Sequence, residues 1–256
     1  MPRCDALNAP VTAWVEEKGL LRFPELAALG VPHGVTTRAL GNMKDLARQE
    51  FAVSALALKG APLTLKQVHG SRIVVQSEIM GQKAPLQAEN HWPPEADGWV
   101  ADVPGVPVGV FVADCVPLYL WSRDGRAAGV FHAGWRGLAD GMVDKAVFSI
   151  MLMRSVIAED LSGALGPNLG PCCYQVGPEF RQKDLGVAVS EREGRLYLDM
   201  GAYVRHAWAN LRVQFGLALR DEQLSTAAPC TSCGPEFHSF RRDKQDARML
   251  ALLASR

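Results

Sequence analysis

Three residues in the middle of the chain, His69, Cys115 and His132, carry donor atoms suited to a borderline-soft divalent cation. Each sits beside small or turn-forming residues just past an apolar run, where a side chain can face a cleft. Ala113-Asp114-Cys115 follows one such run and His132-Ala133-Gly134 another. Loops leaving adjacent strands would bring the thiolate and imidazole together, with His69 arriving at the end of LTLKQVH. Two imidazoles and a thiolate give zinc three ligands and leave a fourth position open, as in catalytic rather than structural sites. The residues alone leave two other readings open. Cys115 could be a nucleophile with His132 or His69 as its base, or all three could be packing and loop residues.

Arginines are the second resource. Arg38, Arg136, Arg241 and Arg242 lie in or beside glycine, serine or threonine turns. There a guanidinium can fork onto an oxyanion such as phosphate, the alternative being solvated surface charge. His33, before Gly34, reads as a turn residue, and His91 as part of a surface loop. His238 reads as either ligand-facing or an ordinary core or loop histidine. The CTSC at residues 230–233 has no second pair at zinc-ribbon distance, and adjacent Cys172 and Cys173 read as packing residues, so these four stay unassigned. GALGPNLG, with Gly163, Gly166 and Gly170, lacks a phosphate-loop lysine and reads as a structural loop. No dinucleotide fingerprint, P-loop, HExxH or GxSxG elbow is present, which removes the main support for nicotinamide, kinase and serine-hydrolase chemistry.

These side chains need a scaffold. VPVGVFV at residues 106–112 is apolar on both faces, as a central covered strand is, and residues 118–121 and 127–131 continue the pattern. The glycine-bearing turn HAGWRG leads into helical spacing over residues 138–151. A second helix spans residues 200–215, with Gly216 ending it. Residues 11–28 are partly amphipathic but interrupted by Gly19 and Pro24, and the first sixty residues read as irregular and helical segments. Strands and helices mix without strict βαβ alternation, which predicts an α+β layered domain.

Composition bounds the function. The chain of 256 residues shows no linker or repeat, so one domain over residues 1–256 is expected. Lys plus Arg and Asp plus Glu are 27 each, and zero net charge gives no field favouring nucleic acid or anionic lipid. No apolar run is long enough to span a bilayer. The N-terminus lacks the apolar core of a secretory signal, so a cytoplasmic protein with reduced cysteines is expected.

KQVHG at residues 66–70, ADC-x-P at 113–117, HAGWRG at 132–137, GP-x-x-GPCCYQVG ending at Gly177, and SFRRD at 239–243 occur in one order. Together they resemble the YfiH or laccase-domain family, whose members have been called bacterial polyphenol oxidase, purine nucleoside phosphorylase and peptidoglycan editing factor. The likeness covers residues 30–250. It implies a single-domain layered α/β/β/α sandwich with mixed sheets and zinc, or copper, held by His69, Cys115 and His132. It also implies phosphorolysis of purine nucleosides such as adenosine, inosine or methylthioadenosine, with adenosine deamination as a companion activity. Arg38 is the implied phosphate holder, with Arg242 beside it, and Asp114 is a candidate to orient a ligand or water. The alternatives are a copper-dependent polyphenol oxidase and a cysteine-nucleophile amidohydrolase editing peptidoglycan precursors. Three departures bear on the substrate loop: the short ALGNMKDLARQEF after Arg38, Gln175 where glutamate is common, and Asp246-Ala247-Arg248 where the family has Thr-Gly-Arg.

Overall fold

A computed structural model describes residues 14–81, 93–182 and 184–256. His91 and Cys4 lie outside them. Two sheets stack face to face. The first is five-stranded, in spatial order Val15–Glu17, Leu20–Arg22, His33–Thr36, Met249–Ala254 and Pro107–Val112. The second is six-stranded, in order Leu224–Ser225, Leu161–Leu165, Val116–Ser122, Ala128–Ala133, Gly98–Ala101 and Ile73–Val75. A small sheet of Gln175–Val176, Arg195–Leu198 and Val189–Arg192 stands apart.

Strand periodicity sorts the side chains into layers. Val108, Val110 and Val112 meet Tyr119, Trp121 and Val130 between the two sheets. Leu118, Leu120 and Phe131 point the other way, onto the helices Met142–Met153 and Met200–Phe215. On the opposite outer face, Leu250 and Leu252 meet Ala52 and Val53 of the helix Leu46–Ala55. The order is helix, sheet, sheet, helix, the layered α+β arrangement that the motifs imply. Tyr119 ties the two sheets together by donating its hydroxyl to the Gly34 carbonyl at 3.1 Å. No helix among the described residues is long and apolar enough to cross a membrane.

Most expected elements form. The apolar run becomes the strand Pro107–Val112, and Met200–Phe215 ends at Gly216 with φ +65°. The expected helix over residues 138–151 is divided into Trp135–Ala139 and Met142–Met153, because Gly141 takes φ +79° between them. The N-terminal reading is corrected. Within residues 11–28 the described chain begins with a hairpin, Val15–Glu17 against Leu20–Arg22, before a short helix Pro24–Ala28. Lys18 and Gly19 both have positive φ, the two-residue turn geometry that suits strand twist and overrides weak helical periodicity.

Two further readings change. Gly163 lies inside the strand Leu161–Leu165 rather than in a loop. His33 is not a turn residue: it is fully buried in the strand His33–Thr36. Its Nε2 accepts the Phe23 N–H at 2.8 Å and its Nδ1 donates to the Val31 carbonyl at 2.9 Å.

Candidate active site

The donor atoms of His69, Cys115 and His132 all lie within 4.8 Å of one another. The route by which they meet differs from two loops leaving adjacent strands. The strand Pro107–Val112 belongs to the first sheet, and the chain crosses at Ala113-Asp114-Cys115 to start the strand Val116–Ser122 in the second. Val116 then pairs with Ala133 in antiparallel register, which sets Cys115 beside the end of the strand bearing His132. The crossing bends at Asp114, whose φ is +96°. Three neighbouring contacts hold this unusual backbone. Asp114 Oδ1 accepts from Thr231 Oγ1 at 2.6 Å, Oδ2 accepts from the Arg241 N–H at 2.6 Å, and its carbonyl accepts from the Leu169 N–H at 2.8 Å. Asp114 is thus an anchor for the crossing, and both carboxylate oxygens are engaged away from the imidazoles.

The carboxylate that reaches the donor set is Asp97, fully buried immediately before the strand Gly98–Ala101. Its Oδ1 accepts from His132 Nδ1 at 2.8 Å and from the His69 N–H at 3.0 Å. Its Oδ2 accepts from the Gly70 N–H at 2.9 Å and the Val68 N–H at 3.2 Å. One side chain therefore fixes the ring of one histidine and the backbone of the other, leaving His132 Nε2 to face the cluster. The neighbouring Gln67 clips the same loop to the first sheet: Nε2 donates to the Phe111 carbonyl at 2.8 Å and Oε1 accepts its N–H at 2.7 Å.

HAGWRG supplies space. A Cβ on Gly134 would stand 3.2 Å from Cys115 Sγ and 3.3 Å from His69 Cδ2, in the hollow between the donors. A Cβ on Gly137 would meet the Gly70 carbonyl oxygen at 2.4 Å, so the helix Trp135–Ala139 reaches the His69 turn only with glycine there.

Electrostatics follow from this packing. Burial raises the Cys115 thiol, but the positive charge of His132 and hydrogen bonds from His132 and His69 bring it down to about 6. Burial lowers His132, but the Cys115 thiolate and Asp97 raise it to about 9. Burial also disfavours the charged form of Asp97, yet the bonds from His132, Gly70 and Val68 hold it below the usual carboxylate range. Without a cation the cluster carries a thiolate–imidazolium pair, whose proton a metal would displace.

The cluster opens into a cavity of about 610 Å³ whose walls include Phe111, Trp135, Tyr174 and Phe240, within the size range of small-molecule sites. Burial, with the negative charge of Cys115 and Asp114, pushes the Tyr174 phenol up to about 12, so it stays protonated. Arg136, Arg241, Arg248 and Lys44 also line the cavity. Arg136 lies 4.5 Å over the Trp135 ring and Arg241 5.2 Å over Tyr174. Among the described residues Arg136 makes no ion pair, whereas Arg248 pairs with Asp246 at 2.8 Å.

The two arginines that the resemblance assigns to phosphate are engaged elsewhere. Arg38 pairs with Asp243. Arg242 spends its guanidinium on the carbonyls of Thr231, Gly234 and Phe237 at 2.7–3.0 Å and on both oxygens of Asp243. His238 Nε2 donates to the Gly41 carbonyl at 3.3 Å rather than facing the cluster.

Comparisons with known proteins bear on the family and the fold. The family model described as multi-copper polyphenol oxidoreductase laccase matches residues 42–256. A purine nucleoside phosphorylase of Deinococcus radiodurans is 34% identical over 257 aligned positions, covering 91% of this chain and 92% of its own. Escherichia coli K12 purine nucleoside phosphorylase YfiH is 30% identical over 219, covering 83% and 80%. Among solved structures, YlmD from Geobacillus stearothermophilus superposes with TM-score 0.78 at 25% identity, covering 95% of this chain and 99% of that one. The Bacillus licheniformis hypothetical protein YfiH superposes with TM-score 0.80 at 22% identity, covering 96% and 100%, a likeness of fold.

Proposed function

Since the chain belongs to the laccase-domain, or YfiH, family, we propose that it is a metal-dependent enzyme that cleaves purine nucleosides with phosphate. The observation that carries this reading is one cavity combining the His69–Cys115–His132 donor set, aromatic walls and guanidinium groups. The name purine nucleoside phosphorylase borne by relatives supports it.

The two imidazoles and the thiolate would hold the cation, and this set of two nitrogens and one sulfur suits zinc, with copper accepted by the same donors. When bound, the ion supplies Lewis acidity. Trp135, Tyr174 and Phe240 offer flat faces for a purine. Arg136, with Arg241 lining the same cavity while its Nη1 donates to the Gln175 carbonyl at 3.1 Å, takes the place of Arg38 and Arg242 as the group to orient phosphate against the sugar. A phosphate oxygen bonds to the anomeric carbon as the glycosidic bond breaks, and the electron pair leaves with the purine, which takes up a proton. The protonated Tyr174 is a hydrogen-bond donor on that wall. Adenosine deamination is a second activity of the same cavity, since an activated water attacking C6 needs a Lewis acid beside the ring.

Polyphenol oxidation by a built-in multicopper centre is disfavoured. The chain has six histidines, and His33 is committed to Phe23 and Val31. The nucleophile reading keeps one specific observation, the Cys115 thiol brought down to about 6 between two imidazoles.

The test is to incubate metal-replete protein with adenosine, with and without phosphate, and quantify adenine, inosine and ribose 1-phosphate. Equimolar adenine and ribose 1-phosphate that require phosphate support phosphorolysis, and inosine without phosphate supports deamination. Release of adenine that ignores both phosphate and chelation contradicts the proposal. Hydrolysis of a peptidoglycan precursor that survives chelation but not Cys115→Ala identifies the nucleophile instead.

A further inference from the structure

Four cysteines that sequence spacing leaves unrelated meet in space. The sulfurs of Cys172, Cys173, Cys230 and Cys233 lie within 4.8 Å of one another, well apart in sequence from the His69–Cys115–His132 donors. Cys233 Sγ is 3.5 Å from both Cys172 Sγ and Cys173 Sγ, across separations of 61 and 60 residues. Four thiolates around a tetrahedral zinc with bonds of about 2.3 Å stand about 3.8 Å apart, so these sulfurs already occupy the right space.

The surrounding backbone is shaped for this. The loops are stitched together by the Asn168 N–H to the Pro229 carbonyl at 3.1 Å and the Thr231 N–H to the Asn168 carbonyl at 2.9 Å. In the CTSC turn, the N–H groups of Cys233 and Gly234 both donate to the Cys230 carbonyl, at 3.2 and 3.0 Å. The Gly170 N–H donates to Cys230 Sγ at 3.3 Å. Gly170 also keeps the centre open: a Cβ there would stand 3.3 Å from Cys172 Sγ and 3.5 Å from Cys230 Sγ. Arg242 grips the carbonyls of Thr231, Ser232 and Gly234, setting a guanidinium beside a cluster that would carry net negative charge around a divalent ion.

Cys172, Cys173 and Cys230 are free thiols, whereas Cys233 is disulfide-bonded, against the expectation that all six cysteines are reduced. We infer that Cys172, Cys173, Cys230 and Cys233 form a second metal site, for a soft tetrahedral cation such as zinc, with three ligands standing ready and the fourth delivered on reduction of Cys233. A dithiol reductant supplies two electrons and two protons. The Cys233 S–S bond breaks, two thiols form, and the dithiol leaves as its disulfide. Zinc then displaces the thiol protons. The ion would staple the segment carrying Tyr174 to the loop held by Arg242, bracing one wall of the cavity from behind.

The test uses the full chain, reduced with a dithiol, stripped of metal by chelation, moved to anaerobic reductant-free buffer and titrated with zinc alone. Bound zinc is counted, and cysteines open to iodoacetamide are mapped by mass. Two zinc ions per chain are expected, with Cys172, Cys173, Cys230 and Cys233 all shielded when zinc is present. Cys115→Ser with His132→Ala should retain one zinc and the same shielding, and Cys173→Ser should lower the count from two to one. The oxidised chain should bind the second ion more weakly. Zinc at saturation that leaves those four cysteines alkylated as fast as in the metal-free chain overturns the inference. Because shielding is read on the unsubstituted protein, a variant that fails to fold leaves that decision intact.

Discussion

Asp97 Oδ1 accepts the Nδ1 proton of His132 at 2.8 Å, and the same oxygen accepts the backbone N–H of His69 at 3.0 Å. One buried carboxylate thereby sets the tautomer of one proposed ligand and the loop position of another. Removing such a support costs about 10–100-fold in metal affinity or activity. Asp97→Asn should therefore weaken zinc retention and lower kcat/KM by that order, measured by competition with a chromogenic chelator and by nucleoside cleavage. Unchanged zinc affinity in a folded Asp97→Asn protein would remove Asp97 from the site.

Gly137 is where helix and turn touch. Its missing Cβ would be 2.4 Å from the Gly70 carbonyl oxygen, a backbone atom that cannot swing aside. Gly137→Ala should cost about 1–3 kcal/mol through overpacking, and the displaced Gly70 should carry His69 with it. Thermal unfolding would fall by about 2–4 °C per kcal/mol, together with zinc affinity. A variant equal to the parent in both would show that this contact positions nothing.

The arginines should divide by role. Arg136→Met removes a cavity cation without an ion-pair partner among the described residues, and should raise the KM for phosphate by about 10–100-fold with little change in Tm. Arg242→Met instead strips donors from the carbonyls of Thr231, Gly234 and Phe237 and should act on stability first. Its cost should be about 1–3 kcal/mol, from the carbonyls left without donors, because Asp243 keeps its pair with Arg38. The reverse pattern, with phosphate KM sensitive to Arg242 and not to Arg136, would restore the assignment made from the motifs.

His33 predicts an acid-side weakness. Burial is the main cause that lowers it from 6.5 to about 4. Protonating Nε2 would also turn an N–H toward the Phe23 N–H that now donates to it. Between pH 6.5 and about 4 the unfolded chain binds this proton and the folded chain does not. Stability from this group is therefore present above 6.5 and lost as pH falls through that window, by at most about 3 kcal/mol. The imidazole resonances in NMR should show His33 neutral down to about pH 4. A titration near 6.5 in the folded protein would contradict the burial account.

Much of this arrangement is legible in the chain. The apolar runs that become Pro107–Val112 and Val116–Ser122, and the helix ended by Gly216, carry local signals strong enough to survive tertiary context. The donors His69, Cys115 and His132 stand out by residue type, and HAGWRG and ADC-x-P by motif. Asp97 does not, because its importance depends on the register that sets Gly98 opposite Phe131 and so brings it beside His132. Strand pairing across 35 residues leaves no local trace. The same holds for the arginines, all found beside turns, because the Asp243 carboxylate that takes Arg38 and the loop carbonyls that take Arg242 are brought within reach only by the fold. The cysteine cluster joins an adjacent pair to a CxxC at a spacing outside the common zinc patterns. The Val15–Arg22 hairpin hides because a two-residue turn at Lys18 and Gly19 outweighs a weak helical period.

The most direct measurement is an anomalous difference map, collected at the zinc edge, from crystals of the protein grown with zinc. A peak should lie within about 2.0–2.3 Å of one nitrogen each of His69 and His132 and of Cys115 Sγ, facing the cavity. Crystals saturated with zinc that show no peak between these three side chains, or show their donors turned apart, would contradict the convergence on which the proposed chemistry depends.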